Sequence, residues 1–189
     1  MKASFYIPVS LVTLFLLTSG LHAQDLSVNF DATVEESTCA MTITALGNAT
    51  ASGSVADGYT LNIPQMAVLD IINQTANTEG SFKLMPAQCN NEITSIVMTI
   101  SGNVNPGNIY FIDNDTSISG YAENVSMAIK PKGGADAQYI KLNGAQSVTW
   151  TSAQITNGMD LSVLFRHLTT APPVAGVFQA NATFSFTYQ

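Results

Sequence analysis

Histidine, clustered carboxylates, cysteine thiols and a lone tryptophan are the side chains here that could carry chemistry, and their spacing decides which of them do. Two histidines occur in 189 residues, and only His167 lies beyond the first 23. It stands beside Arg166 with no nucleophile motif or orienting partner, so it reads as a solvated loop residue and not as a general base. Asp113-Asn114-Asp115-Thr116-Ser117 offers oxygen ligands for a cation but lacks the glycine and distal glutamate of an EF-hand loop. A polar turn is the better reading. Trp150 faces the same side as Val148, which suits a core position better than a sugar platform. Asn-x-Ser/Thr triplets at Asn48, Asn73, Asn114, Asn124 and Asn181 are expected by chance in a chain so rich in Asn and Thr, and matter only in a eukaryotic secretory host. No catalytic residue, metal site or cofactor follows from these groups.

The cysteines do point to a reaction, their own oxidation. Met1 and Lys2 precede an apolar run from about Phe5 to Leu17 and the segment Thr18-Ser19-Gly20-Leu21-His22-Ala23. A basic start, a short apolar core and a small residue at the cut predict a secretory signal peptide over residues 1–23. The run is too short to favour a membrane anchor. In an exported chain Cys39 and Cys89 read as one disulfide, since a zinc or thiol site lacks both CxxC spacing and nearby histidine. Closing a loop of that length destabilises the unfolded chain by roughly 4 kcal/mol in the chain-entropy model. Loss of Lys2 with the leader leaves five basic against 13 acidic residues, about −8. A sparse, mildly acidic surface excludes nucleic acid and anionic membranes as partners. Residues 24–189 form one domain large enough to bury a core.

The elements that must hold the disulfide are short and alternating. From Gly176 onward every second residue (Phe178, Ala180, Ala182, Phe184, Phe186, Tyr188) is small or apolar, and those between are polar apart from Val177. That period of two predicts a long terminal strand over 176–189 with one apolar face. An uncovered edge on such a strand invites a strand from elsewhere. Leu26, Val28, Phe30, Ala32 and Val34 alternate in the same way ahead of Cys39, as a first strand or a free arm. Between the ends, Met41–Ile43, Tyr59–Ile63, Phe82–Leu84, Ile93–Ile100, Ile109–Ile112, Val125–Ile129 and Leu161–Phe165 read as strands. Residues 46–58 read as loop, Met66–Ile72 as a short helical turn, and Asn105-Pro106-Gly107 as a turn. Tyr139–Leu142 and Val148–Trp150 flank Asn143-Gly144 and predict a hairpin. Many short strands at close spacing mean an all-β sandwich or barrel.

With these residues in place the chain resembles the type 1 (chaperone–usher) fimbrial subunits, the bacterial pilins. Gly176, 14 positions from the end, and penultimate Tyr188 match that family's closing strand, with Ala182-Thr-Phe184-x-Phe186-x-Tyr188-Gln189 between and after them. Phe82 and Leu84, ahead of Cys89, and Val28 and Phe30, ahead of Cys39, match two further family positions. The likeness covers both ends of the mature chain and the cysteine pair; residues 45–72 and 102–144 are not distinctive. Two positions depart from the pattern: Leu26 stands where family arms carry glycine, and Pro86 where the strand has an aliphatic residue.

The resemblance implies an incomplete immunoglobulin-like β-sandwich that lacks its last strand and is completed by a donor strand. It implies an acceptor groove and chaperone-contact strand made by Gly176, Phe178, Ala180, Ala182, Phe184, Phe186, Tyr188 and Gln189. It implies a donor arm over residues 24–34, carried by Leu26, Val28, Phe30 and Ala32. The partners are then a periplasmic chaperone, an outer-membrane usher and neighbouring pilin subunits, and the destination is a cell-surface fimbrium that supports adhesion. An arm with only Gln24 and Asp25 before Leu26 fits a minor, initiating or terminating subunit, or a specialised pilin. The alternative is a receptor- or glycan-binding module on the same sandwich.

Overall fold

Runs that alternate with a period of two fold here as two facing sheets, each burying the side its apolar residues select. The computed structural model describes residues 39–89 and 93–189. The expected leader, and the expected arm with Leu26, Val28, Phe30 and Ala32, lie outside the described residues. The described strands are β1 (Ala40–Leu46), β2 (Thr50–Ser54), β3 (Gly58–Asn62), β4 (Glu79–Ala87), β5 (Ile96–Gly102), β6 (Val104–Asn105), β7 (Asn108–Asp113), β8 (Ser126–Pro131), β9 (Val148–Thr149), β10 (Met159–Arg166) and β11 (Ala182–Tyr188). Two six-residue helices, α1 (Val68–Asn73) and α2 (Ser152–Asn157), join them. One sheet has the order β1-β4-β10-β8-β7-β6, the other β11-β5-β9, and β2 with β3 forms a separate hairpin. This is the all-β sandwich expected, with the core between the sheets. Phe82 and Leu84 of β4 and Leu161 of β10 face Ile96, Met98 and Ile100 of β5, all buried.

Several elements differ from the pattern-based expectations, for physical reasons. The stretch read as loop before Gly58 contains β2, whose Gly- and Ser-rich sequence carries no hydrophobic signal and is held by its ladder to β3. The predicted hairpin about Asn143-Gly144 does not form. Gly144 does adopt φ +77°, but the backbone of Ile140 donates to Ile129 O (2.9 Å) and that of Leu142 to Ile109 O (2.8 Å). The segment thus crosses the end of the sandwich with both side chains buried, and β9 pairs with β5 instead. The terminal strand's ladder begins at Ala182, not Gly176; before it the chain makes only isolated bridges, including Val177 to Tyr121. Pro86 lies in β4 beyond the end of β10, where β4 has β1 alone as neighbour and the strand tolerates a residue without an N–H.

Strands β8 and β10 are buried on both faces, which alternation alone did not anticipate. Their second faces carry Ala128 and Leu164, packed with Phe111 and covered by Tyr139. The Tyr139 ring meets Phe111 edge to face at 5.3 Å. Two cations share this layer. Lys130 pairs with Glu79 (2.8 Å) and Asp136 (2.9 Å); Arg166 pairs with Asp136 (3.4 Å) and donates to Thr78 Oγ1 (2.6 Å). Both cations are nearly covered, so each requires these partners to be stable in the sheet. Burial raises the pKa of Asp136, but hydrogen bonds from Lys130 and Tyr139 and the charges of Arg166 and Lys130 outweigh it and hold the carboxyl below its ordinary range.

A carboxyl with a depressed folded pKa contributes stability that is fully present above its unfolded pKa and is lost as pH falls through the folded one. Asp136→Asn should therefore lower the melting temperature at pH 7, on the order of 5 °C. The gap between variant and wild type should close as the pH drops below about 4. Thermal unfolding of both proteins across pH 3–7 checks this; a gap that is constant with pH refutes the charge assignment.

Candidate functional site

β11 joins the smaller sheet through a single neighbour. It runs antiparallel to β5 in the register Ala182↔Gly102, Phe184↔Ile100, Phe186↔Met98 and Tyr188↔Ile96. Its other edge has no strand partner among the described residues. The alternation seen in the sequence is real: Ala182, Phe184, Phe186 and Tyr188 turn inward and Thr183, Ser185 and Thr187 outward. Yet the inward side chains are only half-buried, whereas those of β5 across the ladder are fully covered. Phe184 meets Phe82 edge to face at 6.0 Å, and Phe186 meets Trp150 at 6.1 Å. Each aromatic thus has one side in the core and one side open.

The opposite wall comes from β1, the end strand of the larger sheet, which also has one strand neighbour among the described residues. Met41 and Ile43 are half-buried against the same core as Phe184, Phe186 and Tyr188. Sequence reasoning did not assign these two to the site, although their alternation directly after Cys39 was visible. The disulfide Cys39–Cys89 is formed and ties the start of β1 to the end of β4. Tyr188 donates from its hydroxyl to Cys39 O at 3.1 Å, which fixes the end of β11 against that staple. Burial raises the Tyr188 pKa, against the lowering effect of the Cys39 carbonyl contact, so the phenol keeps its proton at neutral pH. The Gln189 carbonyl accepts from the backbone of Thr94 (2.7 Å) and Ser95 (2.9 Å), extending the pairing with the residues that lead into β5.

The other expected groove residues sit before the ladder. Gly176 passes so close to the 120–122 turn that a Cβ there would lie 2.6 Å from Ala122 N, Gly120 O and Tyr121 C. Its role is close backbone approach, which only glycine permits. Phe178 packs edge to face on Phe165 at 4.9 Å, and the backbone of Gln179 donates to Asn114 Oδ1 at 2.7 Å. Phe178 and Ala180 are half-buried against the main core, so they continue the apolar strip without the ladder.

The groups weighed for chemistry are placed elsewhere. The His167 ring nitrogen lies 3.1 Å from Thr169 O within its own loop. Asp113 accepts from Asn105 and Ser126, and Asp115 from the backbone of Ser117, as a structural turn would. Trp150 is buried. What remains is an apolar strip between two strands that each have one strand neighbour among the described residues, with a row of β11 backbone groups unpaired among those residues. Such an arrangement has the geometry to accept an extended peptide, whose register a ladder would set and whose alternate side chains would meet the strip.

Comparisons with known proteins agree with this geometry. The family model described as "Fimbrial protein" matches residues 28–189. A fimbrial-like protein of Escherichia coli, YadM, is 33% identical over 177 residues, covering 92% of each chain. Among solved structures, the P pilus rod subunit PapA matches at a TM-score of 0.58 with 12% identity, over 86% of this chain and 99% of that one. A chain from a chaperone–usher pilus, solved in connection with rod uncoiling, matches at 0.53 with 15% identity, over 86% and 94%.

Gly176→Ala should destabilise the fold by about 1–3 kcal/mol, the usual cost of forcing atoms into packed backbone. Gly107→Ala, which meets only the Asn105 side chain at 3.3 Å, should change stability little. Tyr188→Phe should cost about 1 kcal/mol through the lost hydrogen bond to Cys39. Urea unfolding of the three variants with the disulfide intact reads all three values.

Proposed function

Because this chain belongs to the fimbrial protein family, whose members are structural subunits and not enzymes, we propose that it polymerises by strand exchange. In this reading the strip between β1 and β11 takes an arm from a neighbouring subunit. The equivalent segment of this chain carries Leu26, Val28, Phe30 and Ala32 at alternate positions of its sequence. The observation that carries the reading is β11 itself, half-covered on its apolar face and unpaired along one edge among the described residues. Each apolar side chain that becomes fully buried in the strip contributes roughly 1.5–3 kcal/mol. The backbone ladder adds register, and a mispaired arm would turn its apolar face to water.

A half-apolar strip is a hazard before assembly, because it can pair with any exposed strand. A periplasmic chaperone that lends a strand to β11 would protect it, and an outer-membrane usher would exchange that strand for the arm of the next subunit. The arm that follows a cut after Ala23 is short, which favours a minor or terminating position in the fibre. The fibre stands on the cell surface, and support of adhesion is its role there.

The test supplies the strand in cis. A chain carrying a flexible linker and a second copy of residues 26–34 after Gln189 should stay monomeric and melt at least about 10 °C above the unextended chain. A control with Phe30→Glu in the added copy should lose most of that gain. Equal melting temperature and equal solubility of the extended and unextended chains would refute strand exchange.

A further inference from the structure

At the β9 edge, the side of the smaller sheet away from β11, lies an open cleft of about 540 Å³. Its lining includes Tyr110, Tyr139, Lys141, Gln146 and Gln154, with Gln138 at the rim. The three glutamines are oriented by their own backbone. Gln138 Oε1 accepts from Ala135 N (2.9 Å), Gln146 Oε1 from Lys141 N (2.9 Å) and Gln154 Oε1 from Thr151 N (2.8 Å). An N–H can only donate, so each amide must turn its oxygen to the backbone and its Nε2 away. Those Nε2 groups have no hydrogen-bond partner among the described residues.

Charge in the cleft runs against that of the protein as a whole. The chain holds 13 acidic against 6 basic residues, yet no carboxylate lines the cleft and Lys141 is its one charged group. Lys141 makes no ion pair among the described residues. The oriented amides and Lys141 thus present donors to the cleft, and Lys141 is the one charge on its lining, with Asp136, which accepts from Tyr139, just outside it. The ring of Tyr139, locked edge-on against Phe111, and that of Tyr110 supply flat apolar wall beside the donors. Open to solvent, with aromatic wall and oriented amides, it suits a sugar better than an apolar ligand. Fixed donors with one unpaired ammonium select a sugar that carries a carboxylate.

We propose that this cleft binds a carboxylate-bearing saccharide, such as a uronic or sialic acid residue, through the Nε2 groups of Gln138, Gln146 and Gln154 and the ammonium of Lys141. The site is separate from the groove at β11, so a subunit whose groove is filled still presents it.

The decisive variants keep the structure and reverse the chemistry. Gln146→Glu retains an oxygen for Lys141 N but replaces the outward donor by an anionic acceptor; Lys141→Met removes the charge alone. Titration calorimetry on the full chain, exported so that its disulfide forms, would use a glucuronate-ended tetrasaccharide, sialyllactose, the same two sugars with the carboxyl reduced to the alcohol, and inorganic phosphate. At least one acidic sugar should bind with a dissociation constant below about 10 mM, and its reduced form about tenfold more weakly or not at all. Each variant should weaken binding about tenfold while leaving the melting temperature unchanged. The proposal is overturned if neither acidic sugar binds, if reduced sugar or phosphate binds as tightly, or if both variants bind like wild type.

Discussion

A strand with one hydrogen-bonded strand neighbour among the described residues, and an apolar face only half-covered, is the constraint on which this molecule depends. β11 buries enough of Phe184 and Phe186, against Phe82 and Trp150, to be held in the sandwich. It leaves those side chains half-covered, and one row of its backbone donors and acceptors is unpaired among the described residues. Facing it, β1 has the same property: one neighbour, and Met41 and Ile43 half-covered. Two sheets that both end in such strands on one side of a core leave an apolar strip between them, the slot that the proposed strand exchange would fill.

The rest of the fold keeps that slot in register. The Cys39–Cys89 bond anchors β1 to β4, and Tyr188 reaches from β11 to the same anchor through the Cys39 carbonyl. At the other end Gly176 lets the chain pass flush against the 120–122 turn, so that Phe178 enters the core before the ladder begins. The resemblance to chaperone–usher pilins, read from Gly176, Tyr188 and the cysteine pair, is borne out by the family match over residues 28–189 and by the fimbrial-like relative. Gly176 and Tyr188 act at opposite ends of the terminal segment, the glycine against the 120–122 turn and the tyrosine against the Cys39 carbonyl.

The larger sheet is sealed by different means. Its outer face buries Lys130 and Arg166, and residues 136–139 return over it to supply Asp136 and Tyr139. Central strands covered on both faces cannot open easily, which concentrates the incompleteness at the β1–β11 side. The same covering segment continues through Ile140 and Leu142 to plug the end of the sandwich, and it forms one wall of the cleft near β9.

The sequence by itself determined which residues face inward along β4, β5, β10 and β11, because a pleated strand puts every second side chain on one side whatever its partners are. It also determined the disulfide. Two things waited for the tertiary structure. Whether β11's ladder starts at Gly176 or Ala182 depends on what lies beside it, and β5 ends at Gly102, opposite Ala182. Whether Asn143-Gly144 closes a hairpin depends on the bonds that Ile140 and Leu142 find in β8 and β7, far away in the chain. Local residue types encode alternation and turns, but pairing partners, second-face burial of Lys130 and Arg166, and the walls of groove and cleft are set by segments distant in sequence that only folding brings side by side.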